Sequence, residues 1–325
     1  MFDRAGLPSP LASVPRVLYH YTSWAGAKGI LSSQQFWATA HHCTNDAAEL
    51  SSADGIVVEV AKKLRDSASG TPAKVLDLFV SQYSKLHITR SMTVCLACFS
   101  TARDDKEQWR RYGDHGRGIC LGLRVLDESG PQNQSSALLK VDYSEASWRE
   151  TVCAEFERIC TALSRAESSP RNLRPGVSAL NRLAAFQSMS AKRGDWAIEQ
   201  EFRHVTLVPH SATDQLKQRP SADGMKVYLP VLVRASGRRI AFAEILIGPN
   251  RTAESTREEL EKLLAESGYD CGSGNFRQSP VLRSPVGKWA YSRHPGLWLG
   301  KGPGPGSLIN RTPDRPAFTC AHGTC

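Results

Sequence analysis

L-Y-H-Y-T-S, Leu18 to Ser23, runs without a break into W-A-G-A-K-G-I-L. Residues 18–21 read as a short strand. Trp24, Ala27, Ile30 and Leu31 then share one face of a helix that Thr22 or Ser23 can cap. His20 therefore sits where a strand meets a capped helix, a place from which an imidazole can exchange a hydrogen bond with something in a cleft. The alternative is a histidine tucked under the helix and satisfied by backbone.

Working outward, F-W-A-T (residues 36–39) reads as a second short strand and N-D-A-A-E-L (45–50) as a loop opening a helix. Residues 72–85 have helical spacing. M-T-V-C-L-A-C-F-S (92–100) is nearly all apolar, as expected of a strand covered on both faces. Asp104, with Glu107 three residues on, predicts a capped short helix carrying Trp109 and Tyr112 and ended by Gly113. Residues 118–125 and 137–143 read as a hairpin pair, and helices follow at 145–167 and 177–193, separated by S-S-P-R-N-L-R-P-G. Strands at 199–208, 226–234 and 240–247 precede a charged helix at 252–267. Helices and strands mix without regular alternation, which favours α+β over a doubly wound sheet.

The chain has 325 residues and a formal net charge of +9. From Phe276 onward seven Arg or Lys face a single acid, Asp314, which leaves +3 for everything before. The basic character belongs to the end of the sequence, where 16 of the last 55 residues are Gly or Pro. The expected organisation is a flexible segment over residues 1–16, one domain over 17–270, and a largely disordered basic tail over 271–325. The nine cysteines are irregularly spaced and odd in number, which predicts reduced thiols and a cytoplasmic setting. No run of about eighteen apolar residues predicts a membrane span.

The second informative stretch is W-A-I-E-Q-E-F-R-H-V, residues 196–205. Read as a strand, it puts Glu199, Glu201 and Arg203 on one face. Two adjacent carboxylates repel unless a cation relieves them or one takes up a proton. Such a pair suits stabilisation of an oxocarbenium-like centre, the problem posed by breaking a glycosidic bond. The plain alternative is an exposed strand face with an ordinary Glu–Arg pair.

Together the two stretches resemble the ADP-ribosyltransferase superfamily. L-Y-H-Y-T-S, with I-L following, is similar to the opening of its H-Y-E branch, which RNA 2′-phosphotransferases share. E-Q-E-F-R resembles the E-x-E of its R-S-E branch. The chain from residue 17 to 267 is more similar still to a bacterial family catalogued as domain of unknown function 2971. The matching segments there are L-Y-H-Y-T-S, F-W-A-T, N-D-A-A-E, C-F-S, W-R-R-Y-G, G-I-C-L-G, V-D-Y, W-A-I-E-Q-E-F-R and I-L-I-G-P.

The resemblance implies an ADP-ribosyltransferase-like split β-sheet with flanking helices, and NAD as substrate. By it, His20 bonds a ribose hydroxyl, and Tyr21 and Thr22 frame the nicotinamide, with Trp109 or Tyr112 stacked on that ring. Glu201 holds the nicotinamide ribose and stabilises the oxocarbenium ion, while Glu199 orients the nucleophile. Asn45, Asp46 and Glu49 line the cleft, Ser100 ends the central strand beside it, and Arg203 relieves the carboxylates. The chain departs from the H-Y-E opening at Tyr21, where that branch has Gly, and shows no tyrosine following F-W-A-T.

The implied function is transfer of ADP-ribose to a protein or nucleic-acid acceptor, as a toxin or phage-defence effector. The competing expectations are a non-catalytic nucleotide- or RNA-binding module and a structural interaction protein. No metal and no membrane partner are expected. Cys95-x-x-Cys98 has metal spacing but lies in the apolar strand, with C-A-H-G-T-C at the end of the sequence as its one conceivable complement. G-D-H-G-R-G (113–118) lacks the flanking strand and helix of a phosphate loop. Trp289, Tyr291 and Trp298 among the arginines of the tail are the one feature there suited to nucleic acid.

Overall fold

A computed structural model describes residues 15–46, 48–125, 136–165, 170–221, 224–231, 240–269 and 276–278. Strand β1 (Val17–Thr22), helix α1 (Trp24–Ser33) and strand β2 (Phe36–Ala40) are followed by helices α2 (Asp54–Ser67) and α3 (Gly70–Leu86) and then by strand β3 (Met92–Ser100). Short helix α4 (Lys106–Arg111) precedes β4 (Ile119–Arg124) and β5 (Ser136–Lys140). Helices α5 (Glu145–Ser164) and α6 (Pro170–Ser190) follow, then β6 (Glu201–Pro209), β7 (Lys217–Ser221), β8 (Gly224–Val231), β9 (Phe242–Ile247), α7 (Ala253–Glu266) and β10 (Phe276–Gln278). The protein is α+β, built on a curled, almost wholly antiparallel sheet.

The sheet runs β10-β9-β4-β1-β3-β2-β8-β7, with β6 and then β5 added beside β3. Strand β6 pairs along the whole of β3, from Met92↔Pro209 to Ser100↔Glu201. The other edge of β3 is shared: β2 takes Cys95 and Leu96, and β1 touches it only at Tyr19↔Ser100. Among the described residues, Ala97 to Phe99 thus have no strand partner on that side, and the sheet is split there.

Each face of the sheet has its own cover. Helices α1 and α7 bury Ala27, Ile30, Leu31, Leu260 and Leu264 on one face, against Leu18, Phe36 and Phe99. On the other, Leu50, Val94, Leu96, Leu139 and Val205 meet Phe186 and Met189 of α6. Helices α2, α3, α5 and α6 form a second core of their own around Phe79, Trp148 and Phe156. Fully burying such side chains is worth about 1.5–3 kcal/mol each.

Several expectations are corrected. Residues 118–125 and 137–143 do not form a hairpin: β4 pairs with β1 and β9, and β5 pairs with β6. Helix α2 begins at Asp54 after a run of turns instead of opening at N-D-A-A-E-L, and the edge strand β7 had no sequence signal. The S-S-P-R-N-L-R-P-G stretch does not break the chain throughout, because α6 starts at Pro170 and carries Pro175 inside it. Asp105, not Asp104, caps α4, accepting from the Glu107 and Gln108 N–H groups at 2.9 Å. Strand β10 pairs with β9 beyond the domain boundary expected at residue 270. The expected disorder of the ends and the tail cysteines lie outside the described residues.

Candidate functional site

The register of β3 with β6 puts Ser100 opposite Glu201 and Cys98 opposite Arg203, so all four side chains belong to the α6-covered face. Strand β6 begins only at Glu201. Glu199 ends a 3₁₀ turn, Gly194–Glu199, and Gln200 between them is left-handed, with φ of 45°. The two glutamates therefore do not alternate along one strand, as the E-Q-E pattern predicts. They converge because the chain kinks.

Their meeting point is Lys192, just beyond α6. Its ammonium lies 2.6 Å from Glu199 Oε2 and 2.9 Å from Glu201 Oε2. Arg203 donates from Nε to Glu201 Oε1 at 3.0 Å, pairs with Glu49, and donates to the Met189 carbonyl at 3.0 Å. Tyr112 donates to Glu199 Oε1 and bonds the exposed Asn45. The Glu199 carbonyl accepts from Ser100 Oγ at 2.7 Å and Gln108 Nε2 at 3.1 Å, and the Glu201 N–H donates to Tyr143 Oη at 2.9 Å. Glu199, Glu201, Lys192 and Arg203 are all buried.

Burial alone would raise the Glu201 pKa, but Arg203 and Lys192 outweigh it and hold the carboxyl down to about 2. Lys192 is pushed up instead: burial opposes its charge, and Glu201, Glu199 and Glu49 more than compensate. Glu49 goes the other way, its pKa raised because burial exceeds the help of Arg203 and Lys192. The cluster thus contains one carboxylate locked in its ionised form and one that resists ionisation.

Cys98 marks the way in. Its neighbours Ala97 and Phe99 are each 3 % exposed and its cross-strand partner Arg203 is fully buried, yet Cys98 itself is exposed. A residue in the middle of a central strand can meet solvent only through an opening in the layer above it. The thiol is nevertheless walled in at its sides, and burial followed by the Glu201 charge raises its pKa well above the usual range. Next to Glu49, Glu199 and Lys192 respectively, Asp46 Oδ2, Arg111 Nε and Trp196 Nε1 are buried without hydrogen-bond partners. Arg111 and Lys192 both lie over the Trp196 ring, 5.2 Å and 4.8 Å from its centroid.

The structure accordingly gathers Glu199, Glu201, Arg203, Ser100, Tyr112, Asn45 and Glu49, whose field Asp46 also reaches. His20 is not bonded to the carboxylates. Its ring enters the split in the sheet, packs on Phe36 and Phe99 at 5.2 and 5.6 Å, and donates from Nδ1 to the Cys98 carbonyl at 2.9 Å. Burial lowers its pKa, so the neutral ring is favoured. Cys98 is the single residue between His20, at its carbonyl, and Glu201, at its thiol.

Trp109 cannot stack on a ligand. It is fully buried, edge-on to Tyr21 at 4.9 Å, and its Nε1 donates to Asp104 Oδ1 at 2.8 Å. Tyr21 is buried too, donating to the Ala102 carbonyl and accepting from the Asp105 N–H. The Thr22 carbonyl lies where a Cβ on Gly118 would come within 2.1 Å, so this pair closes a tight strand crossing. The Tyr21 and Trp109 side chains build the wall between β1 and α4, whereas Thr22 contributes only its backbone carbonyl there. Lys192, Arg111, Trp196 and Tyr143 are not marked as site residues by the sequence, and Cys98 stands out there only as half of the metal-spaced pair Cys95-x-x-Cys98. Lys192 stands seven residues before Glu199, but nothing in K-R-G-D-W-A-I-E-Q-E announces the turn that brings its side chain back.

Cys95 faces the opposite side of the sheet from Cys98, which separates the C-x-x-C thiols. Among the described residues no group of three His, Cys, Asp or Glu is arranged to hold a metal ion. No helix there is long and apolar enough to cross a membrane.

Fold and cluster together define an α+β protein with a split antiparallel sheet and a buried, ion-paired carboxylate pair beside the split. The model of one family, described as Protein of unknown function (DUF2971), matches residues 108–204. That segment runs from α4 to β6 and carries Tyr112, Lys192, Glu199, Glu201 and Arg203, which supports the resemblance to this family. No curated protein and no solved structure matches the chain.

Proposed function

We propose that the Glu199–Glu201 cluster is the reaction centre of a transferase that moves ADP-ribose from NAD to a protein or nucleic-acid acceptor. The observation that carries this reading is the convergence of two carboxylates on one buried point beside the opening over Cys98. Cleaving the bond between nicotinamide and ribose builds positive charge on the sugar, and fixed negative charge in a water-poor site lowers that barrier. Glu201 serves as the charge-stabilising group and Glu199 orients the acceptor. The half-buried Tyr112 ring, rather than Trp109, is the aromatic face available to the leaving group. His20 acts through the split, holding the Cys98 segment of β3 in place.

A second reading has its own observation in favour. Lys192 and Arg203 already neutralise the carboxylates, and they tie the end of α6 to β6. On that reading the network is a structural latch in a binding or interaction protein. Incubation with labelled NAD and a cell extract separates the two. Transfer of label, lost at least about a hundredfold in Glu201→Gln with NAD binding kept within a few-fold, supports the enzyme. Glu199→Gln should then impair transfer more than NAD hydrolysis. A wild-type protein that neither binds nor cleaves NAD leaves the latch reading standing.

A further inference from the structure

The reaction centre carries its own counter-charge. The Lys192 ammonium is flanked by two carboxylate oxygens at 2.6 and 2.9 Å and lies 4.8 Å from the Trp196 ring centroid. Carboxylates on two sides and an aromatic face on another are the elements from which proteins build cages for organic cations. The flexible four-carbon stem of a lysine lets its head leave while the backbone stays. Here the backbone is pinned, because the Lys192 N–H donates to the Asp142 carbonyl at 3.0 Å and Ala191 bridges to Asp142. The side chain can thus move while the backbone pairing at Ala191 and Lys192 stays in place.

We propose that the Lys192 ammonium is an internal plug in a cation cage formed by Glu199, Glu201 and Trp196, and that the cationic group of a ligand takes its place. This rests on reading the cluster as the reaction centre and adds what that reading lacks, namely how carboxylates already neutralised become available. Arg203 stays behind on Glu201 and Glu49, and Arg111 stays 3.9 Å from Glu199, so the exchange replaces only the single charge of Lys192 by that of the ligand.

Two experiments without NAD test it. Lys192→Ala removes the plug and its stem. It should melt below wild type and recover at least half of the loss, saturably, with n-butylammonium, but not with sodium chloride at equal ionic strength. Adding Glu199→Gln and Glu201→Gln to this variant should abolish the recovery. No recovery, or equal recovery with sodium, overturns the cage. The second experiment uses wild type and so does not depend on the variant folding. Reductive methylation with formaldehyde, mapped by mass spectrometry, should spare Lys192 relative to the exposed Lys28 and Lys217. N-methylpyridinium, a cation with no reactive amine, should raise Lys192 labelling several-fold, and neutral pyridine should not. Labelling unaffected by the cation, or affected equally by pyridine, refutes displacement. Amine recovery in a protein inert toward NAD keeps the cage and removes the transferase. NAD turnover without either cation effect does the reverse.

Discussion

Replacing Glu201 with Gln changes the acid response of stability by an amount that the geometry fixes. The Glu201 carboxyl stands at 4.5 when unperturbed and about 2 in the fold, where Arg203 and Lys192 overcome its burial. A depressed carboxyl contributes stability that is fully present above its unfolded value and is lost as pH falls through its folded value. The shift corresponds to about 3 kcal/mol, of which about 2 kcal/mol should be gone by about pH 3. Glu49 has the opposite sign, because its raised pKa makes ionisation a burden that grows as pH rises. The Glu201 charge is among the causes of that rise, so the replacement also eases Glu49 ionisation, and about 2 kcal/mol is the upper bound of the difference.

Urea unfolding followed by tryptophan fluorescence at a series of pH values between neutral and about 3 measures the effect. At neutral pH Glu201→Gln should be less stable by about 3–5 kcal/mol, since it leaves buried cations short of a partner. The gap between the two proteins should then narrow by up to about 2 kcal/mol toward pH 3. Parallel pH curves would refute the claim that Glu201 is an ionised, paired carboxylate in the folded protein.

Trp109→Ala should cost about 3–5 kcal/mol of stability, as expected for a buried aromatic wall, and this shows in the same urea titration. A small effect would mean that the ring is not packed between β1 and α4. A small alkylating reagent applied to the native protein at raised pH should modify the exposed Cys98 while sparing the buried Cys95 and Cys120. Modification of all three alike would remove the opening over β3. His87 bonds Asp54, and this first, with the Asp54 charge in support, raises its pKa despite burial. Its contribution is therefore present below the unfolded value of 6.5 and fades as pH climbs through the folded one. His87→Ala should flatten the melting-temperature profile across that window, and an unchanged profile would count against the pair.

Local pattern was enough for the parts of this protein whose physics is local. The capped helix α1, with Ser23 accepting from Gly26, and the buried strand β3 are legible because capping and strand burial are written in neighbouring residues. The same holds for the clustering of chemistry near E-Q-E-F-R. Pairing was not legible. The residues of β4 and β5 look like a hairpin because they are adjacent strands in sequence, yet each finds a better-matched edge elsewhere. The periodicity of E-Q-E read as a strand face, while the left-handed Gln200 turns Glu199 out of that face and Lys192 brings the carboxylates together again. What only the tertiary structure decided is who neutralises whom. Arg203 beside Glu201 is legible in the strand spacing, but Lys192 and Glu49 reach the cluster from other parts of the chain, and a buried charge answers to distance in space. His20 shows the same division: its place at the end of β1 follows from its neighbours, but its turn into the split depends on β1 and β2 sharing one edge of β3.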